Sequence, residues 1–102
     1  MLVPCGVQMA IPAGHVGLVC PRSGLSLKEG ITVHNGPGVV DSGYRGEVGA
    51  ILYNTDDRPK VINFGDRVAQ MVIVPVVAVR PVEVESLDET ERGVGGFGHT
   101  GK

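Results

Sequence analysis

Apolar residues along this chain come in short bursts separated by glycine, proline and acidic punctuation, and no window keeps a 3.6-residue apolar period through three turns. That pattern predicts an all-β domain. Strands are expected over 6–10, 15–20, 31–34, 47–54, 60–62, 68–74 and 76–85, with one or two helical turns after Ser23. Val39 and Val40 end a further strand, a glycine-flanked turn begins at Ser42, and Tyr44 opens the next strand. Asp41 is therefore expected at the mouth of a β-hairpin. Turn signals at these spacings suggest a sandwich, barrel or jelly roll, because each short strand must bury one face against a partner sheet. Residues 68–79 are apolar almost throughout, broken chiefly by Gln70 and Pro75, and lack the alternation of a strand with one wet face. Both faces should be covered, either as a central strand of the sandwich or by another copy of the chain in a homo-oligomer.

The 102 residues suffice for one domain near the lower end of the size range in which a core stands alone. Net charge is −2 without any basic run, so a bulk electrostatic case for nucleic-acid binding is absent, and an anion must be gripped locally. Cys5 and Cys20 have neither CxxC spacing nor a neighbouring His cluster. They are expected reduced and buried, with a single disulfide left open. No apolar run reaches bilayer length, and no basic stretch precedes a signal-like segment, so a soluble, cytoplasmic protein without a membrane partner is expected.

Three segments carry candidate chemistry. In GVVDSGYRGE at 38–47, Asp41 can face a ligand or simply cap its turn by bonding the backbone two residues on. In PRSGL at 21–25, a strand gives way to a helical turn that Ser23 can cap, and Arg22 can add a bidentate contact to a phosphate; a solvated turn explains the same residues. From Glu89 the composition shifts, and RGVGGFGHTGK at 92–102 sets five glycines around one Phe, with Arg92 and His99 nearby. A frayed terminus is the plain reading. A lone aromatic and an Arg among exposed N–H groups also suit a phosphate-gripping lid that orders on ligand. The domain is thus expected over 1–88, with a flexible lid over 89–102.

Taken in order, PRSGL at 21–25, GVVDSGYRGE at 38–47, GDRVAQM at 65–71 and RGVGGFGHTG at 92–101 resemble four of the five motifs of the trimeric dUTP diphosphatases (dUTPases), in a bacterial form. The resemblance spans nearly the whole chain. It implies a dUTPase-like jelly roll or β-clip, assembled as a homotrimer with shared active sites. It also implies hydrolysis of dUTP to dUMP and diphosphate, which limits uracil incorporation into DNA and supplies dUMP for dTMP synthesis. Asp41 matches the aspartate that activates the attacking water. Tyr44 matches the ring under the deoxyribose, which excludes a 2′-hydroxyl, while Asn35, Val39 and Val40 match positions that read the uracil edge, and Gly49 is a further substrate-binding position. Arg22, Ser23, Gly24 and Gln70 match positions near the phosphates, the first three from a neighbouring subunit relative to Asp41. Arg92, Phe97, Gly98, His99 and Thr100 match the closing tail, with Phe97 on the uracil and Arg92 on the γ-phosphate.

The resemblance further implies magnesium, bound mainly through the triphosphate with no dedicated protein cage. Asp56, Asp57 and Asp66 are accordingly expected as loop and turn carboxylates, and His15 and His34 as structural residues. The family's first motif, of AGxDL type, is absent from this sequence, so a jelly roll shortened at its N-terminus, with an unpaired edge, is expected. Two alternatives stand beside the diphosphatase. A dCTP deaminase shares the fold and a PRS motif but needs a Glu as base, for which Glu47 is the nearby residue; a shortened dUTPase-like protein could bind nucleotide or a partner without turnover.

Overall fold

A computed structural model describes residues 1–98, 100 and 101. Six strands and one helix follow in the order β1 (Leu2–Gln8), β2 (His15–Cys20), α1 (Ser23–Glu29), β3 (Ile31–Val33), β4 (Gly38–Val40), β5 (Glu47–Asn54) and β6 (Gln70–Pro75). They form two antiparallel three-stranded sheets, ordered β1-β5-β3 and β4-β2-β6. The core lies between them. Val48, Ala50 and Leu52 alternate inward along β5, Ile31 and Val33 do so along β3, and Val19 from β2 and Val68 close the cluster from the other side. Period-two alternation in sequence thus becomes one buried face per strand.

Several expectations are corrected. β4 and β5 belong to different sheets, so residues 41–46 are a crossover between layers and not a hairpin turn, and Tyr44 precedes the strand. The first strand begins at Leu2 rather than at residue 6, and the last at Gln70 rather than at 68. Residues 60–62 and 76–85 form no strand. Pro75 and Pro81 lack the N–H that a ladder needs, which limits pairing there. Strand β6 lies at a sheet edge with Val72 and Ile73 partly exposed, so within one chain it is not the central covered strand. Both cysteines are free, but Cys5 is exposed and Cys20 only half-buried.

Helix α1 starts after Arg22, which occupies the N-cap without a side-chain cap bond; Ser23 is its first residue and does not cap it. Gly30 ends it in the left-handed region, at φ 69°, where a side chain would be strained. Thr55 ties this end to the loop after β5, its backbone N–H and its hydroxyl both donating to the Gly30 carbonyl at 2.8 Å. Beside that tie, Lys60 lies between Asp56 at 3.1 Å and Glu29 at 3.2 Å, and Asp56 also pairs with Arg58 at 3.0 Å.

The hydrogen bond from Arg58, followed by that from Lys60, lowers the Asp56 pKa from 3.8 to about 2, while the same carboxylates raise that of Lys60. A depressed carboxyl pKa contributes stability that is present above the unfolded value and lost as pH falls through the folded one. Thermal midpoints of the wild-type chain and Asp56→Asn should therefore differ steadily above about pH 4 and converge as pH falls to about 2. The Lys60 contribution, of opposite sense, should fade only as pH rises through its raised value in the alkaline range. A wild-type advantage unchanged across the acidic range would contradict the tie.

Candidate active site

Residues 41–46 carry the chain from one sheet to the other, and hydrogen bonds brace this corner at every step. The Tyr44 N–H donates to the Asp41 carbonyl at 3.1 Å, and the Arg45 guanidinium donates to the Ser42 and Tyr44 carbonyls at 2.7 and 3.1 Å. Tyr44 Oη donates to the Glu47 carbonyl at 2.8 Å, which folds the ring back over Gly46. Strand β1 anchors the far side. Its register against β5 shifts between Pro4 and Gln8, and the Gly6 N–H donates at 2.9 Å to Glu47 Oε2. Gln8 Nε2 adds a bond to the Arg45 carbonyl at 3.0 Å. Gly6 stands at φ 70°, a conformation that glycine adopts without strain.

Asp41 itself is exposed, and its backbone carbonyl, not its carboxylate, closes the turn. Among the described residues no hydrogen bond or ion pair engages its carboxylate, so the capping alternative is not the one adopted.

Beside this corner lies a cleft of about 270 Å³. Asn35, from the turn between β3 and β4, meets Val39 and Val40 of β4, Tyr44 of the crossover and Gly49 of β5 along its walls. Five of the residues singled out in the sequence are thereby brought together. Glu47, the base considered for a deaminase, also lines it, together with Leu2, Pro4 and Ile51, which the sequence did not single out. Alternation along β5 carries the signal, since 47, 49 and 51 fall on the face opposite the buried 48, 50 and 52. The register pairs Leu2 with Ile51 and Pro4 with Gly49. A Cβ on Gly49 would stand 2.7 Å from Leu2 Cδ1, so the missing side chain makes room for Leu2.

The other candidate groups lie elsewhere. Arg22 faces a hollow of about 640 Å³ with Cys5, Phe64, Asp66 and Arg67, while Ser23 and Gly24 are exposed at the start of α1. Gln70 Nε2 donates to the Pro21 carbonyl at 2.8 Å and so fixes the strand end that leads into Arg22. Arg92, Phe97, Gly98 and Thr100 border a shallow cavity of about 400 Å³ within the tail. There the Arg92 guanidinium donates to the Gly95 and Gly96 carbonyls at 2.6 and 3.3 Å, and Phe97 is fully exposed. His99 lies outside the described residues. Asp66 accepts the Asn63 N–H at 2.8 Å, a turn role; His15 bonds the Ala13 carbonyl, and the His34 ring packs on Tyr53.

The fold is an all-β sandwich with a small cleft at an inter-sheet corner, and comparison with known proteins identifies its class. The dUTPase family profile matches residues 1–101. Over 100 residues the chain is 53% identical to the deoxyuridine 5′-triphosphate nucleotidohydrolase of Syntrophotalea carbinolica, covering 98% of this chain and 68% of that protein. The enzyme of the same name from Cutibacterium acnes is 52% identical over 101 residues, covering 98% and 66%. The chain thus spans about two thirds of the length of these relatives. Among solved structures, a mutant dUTPase of Staphylococcus bacteriophage 80alpha with dUpNHpp superposes with a TM-score of 0.76 at 26% identity, covering all of this chain and 80% of that one. A mutant dUTPase from phage phi11 of S. aureus, described with a structural Mg(II) ion, gives 0.67 at 25% identity, covering 87% and 79%. The chain belongs to the dUTPase family, whose members hydrolyse dUTP.

Proposed function

We propose that the corner cleft is the nucleoside half of a dUTP-hydrolysing site, with Asp41 as the base for the attacking water. The convergence of Asn35, Val39, Val40, Tyr44 and Gly49 on one cleft, next in the chain to an unengaged Asp41 carboxylate, carries this reading. Uracil lies between Asn35 and the β4 backbone, and the deoxyribose lies on the Tyr44 ring. Asp41 takes a proton from water as the water oxygen bonds the α-phosphorus and the bond to the bridging oxygen breaks, giving dUMP and diphosphate. Glu47 Oε2 accepts the Gly6 N–H, a structural role that favours the diphosphatase over the deaminase.

The phosphates are met by Arg22, Ser23 and Gly24 of a neighbouring copy, with Gln70 close by, and the tail over 89–102 closes over the bound nucleotide, in a homotrimer. Support for this division comes from the separate cavities lined within one chain by the nucleoside candidates, by Arg22 and by the tail. Among the described residues no three His, Cys, Asp or Glu side chains converge. Magnesium, brought mainly by the substrate triphosphate, would supply charge neutralisation there. No helix among the described residues is long and apolar enough to cross a membrane.

Incubated with magnesium and dUTP, dCTP or dTTP, the chain should release diphosphate from dUTP alone. Ammonia from dCTP would contradict the reading, and dUTP binding without turnover would contradict the assignment of Asp41. Deletion after Glu91 should lower kcat by about tenfold or more while moving the thermal midpoint by no more than about 2 °C, as expected of a lid. An unchanged rate would rule the lid out.

A further inference from the structure

Gly46 has no backbone reason to be glycine: it is not among the glycines with positive φ, so alanine could adopt its conformation. Space explains it instead. A Cβ at this position would lie 2.5 Å from Tyr44 Oη, 2.6 Å from Cζ and 3.0 Å from Cε1, all closer than ordinary contact. Each of those atoms belongs to the outer end of one ring, which can swing about its own side-chain torsions. A methyl group at 46 would therefore displace the Tyr44 ring and leave the chain's path intact.

The displacement has a definite consequence. The ring is held by its hydroxyl on the Glu47 carbonyl at 2.8 Å, and Glu47 is itself anchored through its carboxylate to Gly6. Swinging away breaks the first of these bonds and shifts a wall of the cleft shared with Asn35, Val39 and Val40. We propose that Gly46 is a positioning residue for substrate selection: the bare backbone at 46 seats the Tyr44 ring, and the seated ring sets how strictly the 2′ position of the sugar is read. This rests on the placement of the nucleoside in the cleft given above. Exclusion by shape depends on the height of the wall, so a ring that no longer lies over Gly46 leaves room for one more hydroxyl.

The test compares kcat/KM for dUTP and UTP in the wild-type chain, Gly46→Ala, Tyr44→Ala and the double variant. Gly46→Ala should raise the UTP-to-dUTP ratio by about tenfold, the scale on which a shape-selective pocket discriminates small groups. In the Tyr44→Ala background the same change should leave the ratio unmoved, because no ring remains to displace. An unchanged ratio in Gly46→Ala, or an equal change with and without the ring, overturns the proposal. Should Gly46→Ala fail to fold, a folded double variant supports the seat, and a double variant that also fails overturns it. A wild-type chain that does not turn over dUTP counts against the nucleoside reading. In that event the Tyr44 ring proton resonances decide the seat by themselves, shifting in Gly46→Ala if it holds and staying in place if it does not.

Discussion

Apolar surface without cover within one chain is the constraint on which the rest of this structure depends. The side chains that close the core, Val19, Ile31, Val33, Val48, Ala50, Leu52 and Val68, fill a single thin layer between two three-stranded sheets. Beyond β6, Val77, Val79, Val82 and Leu87 stand almost fully exposed. The radius of gyration is 18.7 Å, against about 13 Å for a compact chain of this length. Exposed apolar residues in this number mark an interaction surface more readily than a solvated one. The proposed homotrimer would cover that arm, and the same contacts would bring phosphate-binding groups of a neighbouring copy to the cleft.

Within the chain, the corner at 41–46 is where fold becomes site. Crossing between layers exposes backbone carbonyls that neither sheet can satisfy, and Arg45, Gln8 and the Tyr44 hydroxyl supply the missing donors. Glu47 binds the corner to the Gly6 N–H at the register shift of β1. Among the described residues the Asp41 carboxylate has no internal partner, and it follows directly in the chain on Val40 of the cleft wall. In the proposed reading, that free carboxylate is the group that would position the attacking water.

Much of this could be read from the amino-acid order. Alternation along 47–54, the β2 segment at 15–20 and the short helix after Arg22 are local signals, and each element stands where it was expected. The stretch at Asp41 carries a hairpin signal because a Ser-Gly turn between two apolar runs has the same local pattern whether the strands pair or part into separate sheets. Residues 76–85 read as a strand because valine recurs there, yet within one chain no neighbouring strand offers it a ladder. Leu2, Pro4 and Ile51 in the cleft depend on the β1–β5 register, a long-range pairing that sequence spacing does not specify. Arg92 turned onto the Gly95 and Gly96 carbonyls is likewise a matter of tail conformation and not of composition.

Assembly of the site from separate copies is tested most directly by mixing two inactive variants, Asp41→Asn and Arg22→Ala, unfolded together in equal amounts and refolded. If Asp41 and Arg22 of one site come from different chains, about one quarter of the sites in randomly mixed trimers hold both intact residues. About that fraction of wild-type dUTP turnover should then return. If both residues act from the same chain, no mixed site is whole, and a mixture as inactive as its parents would contradict the shared site.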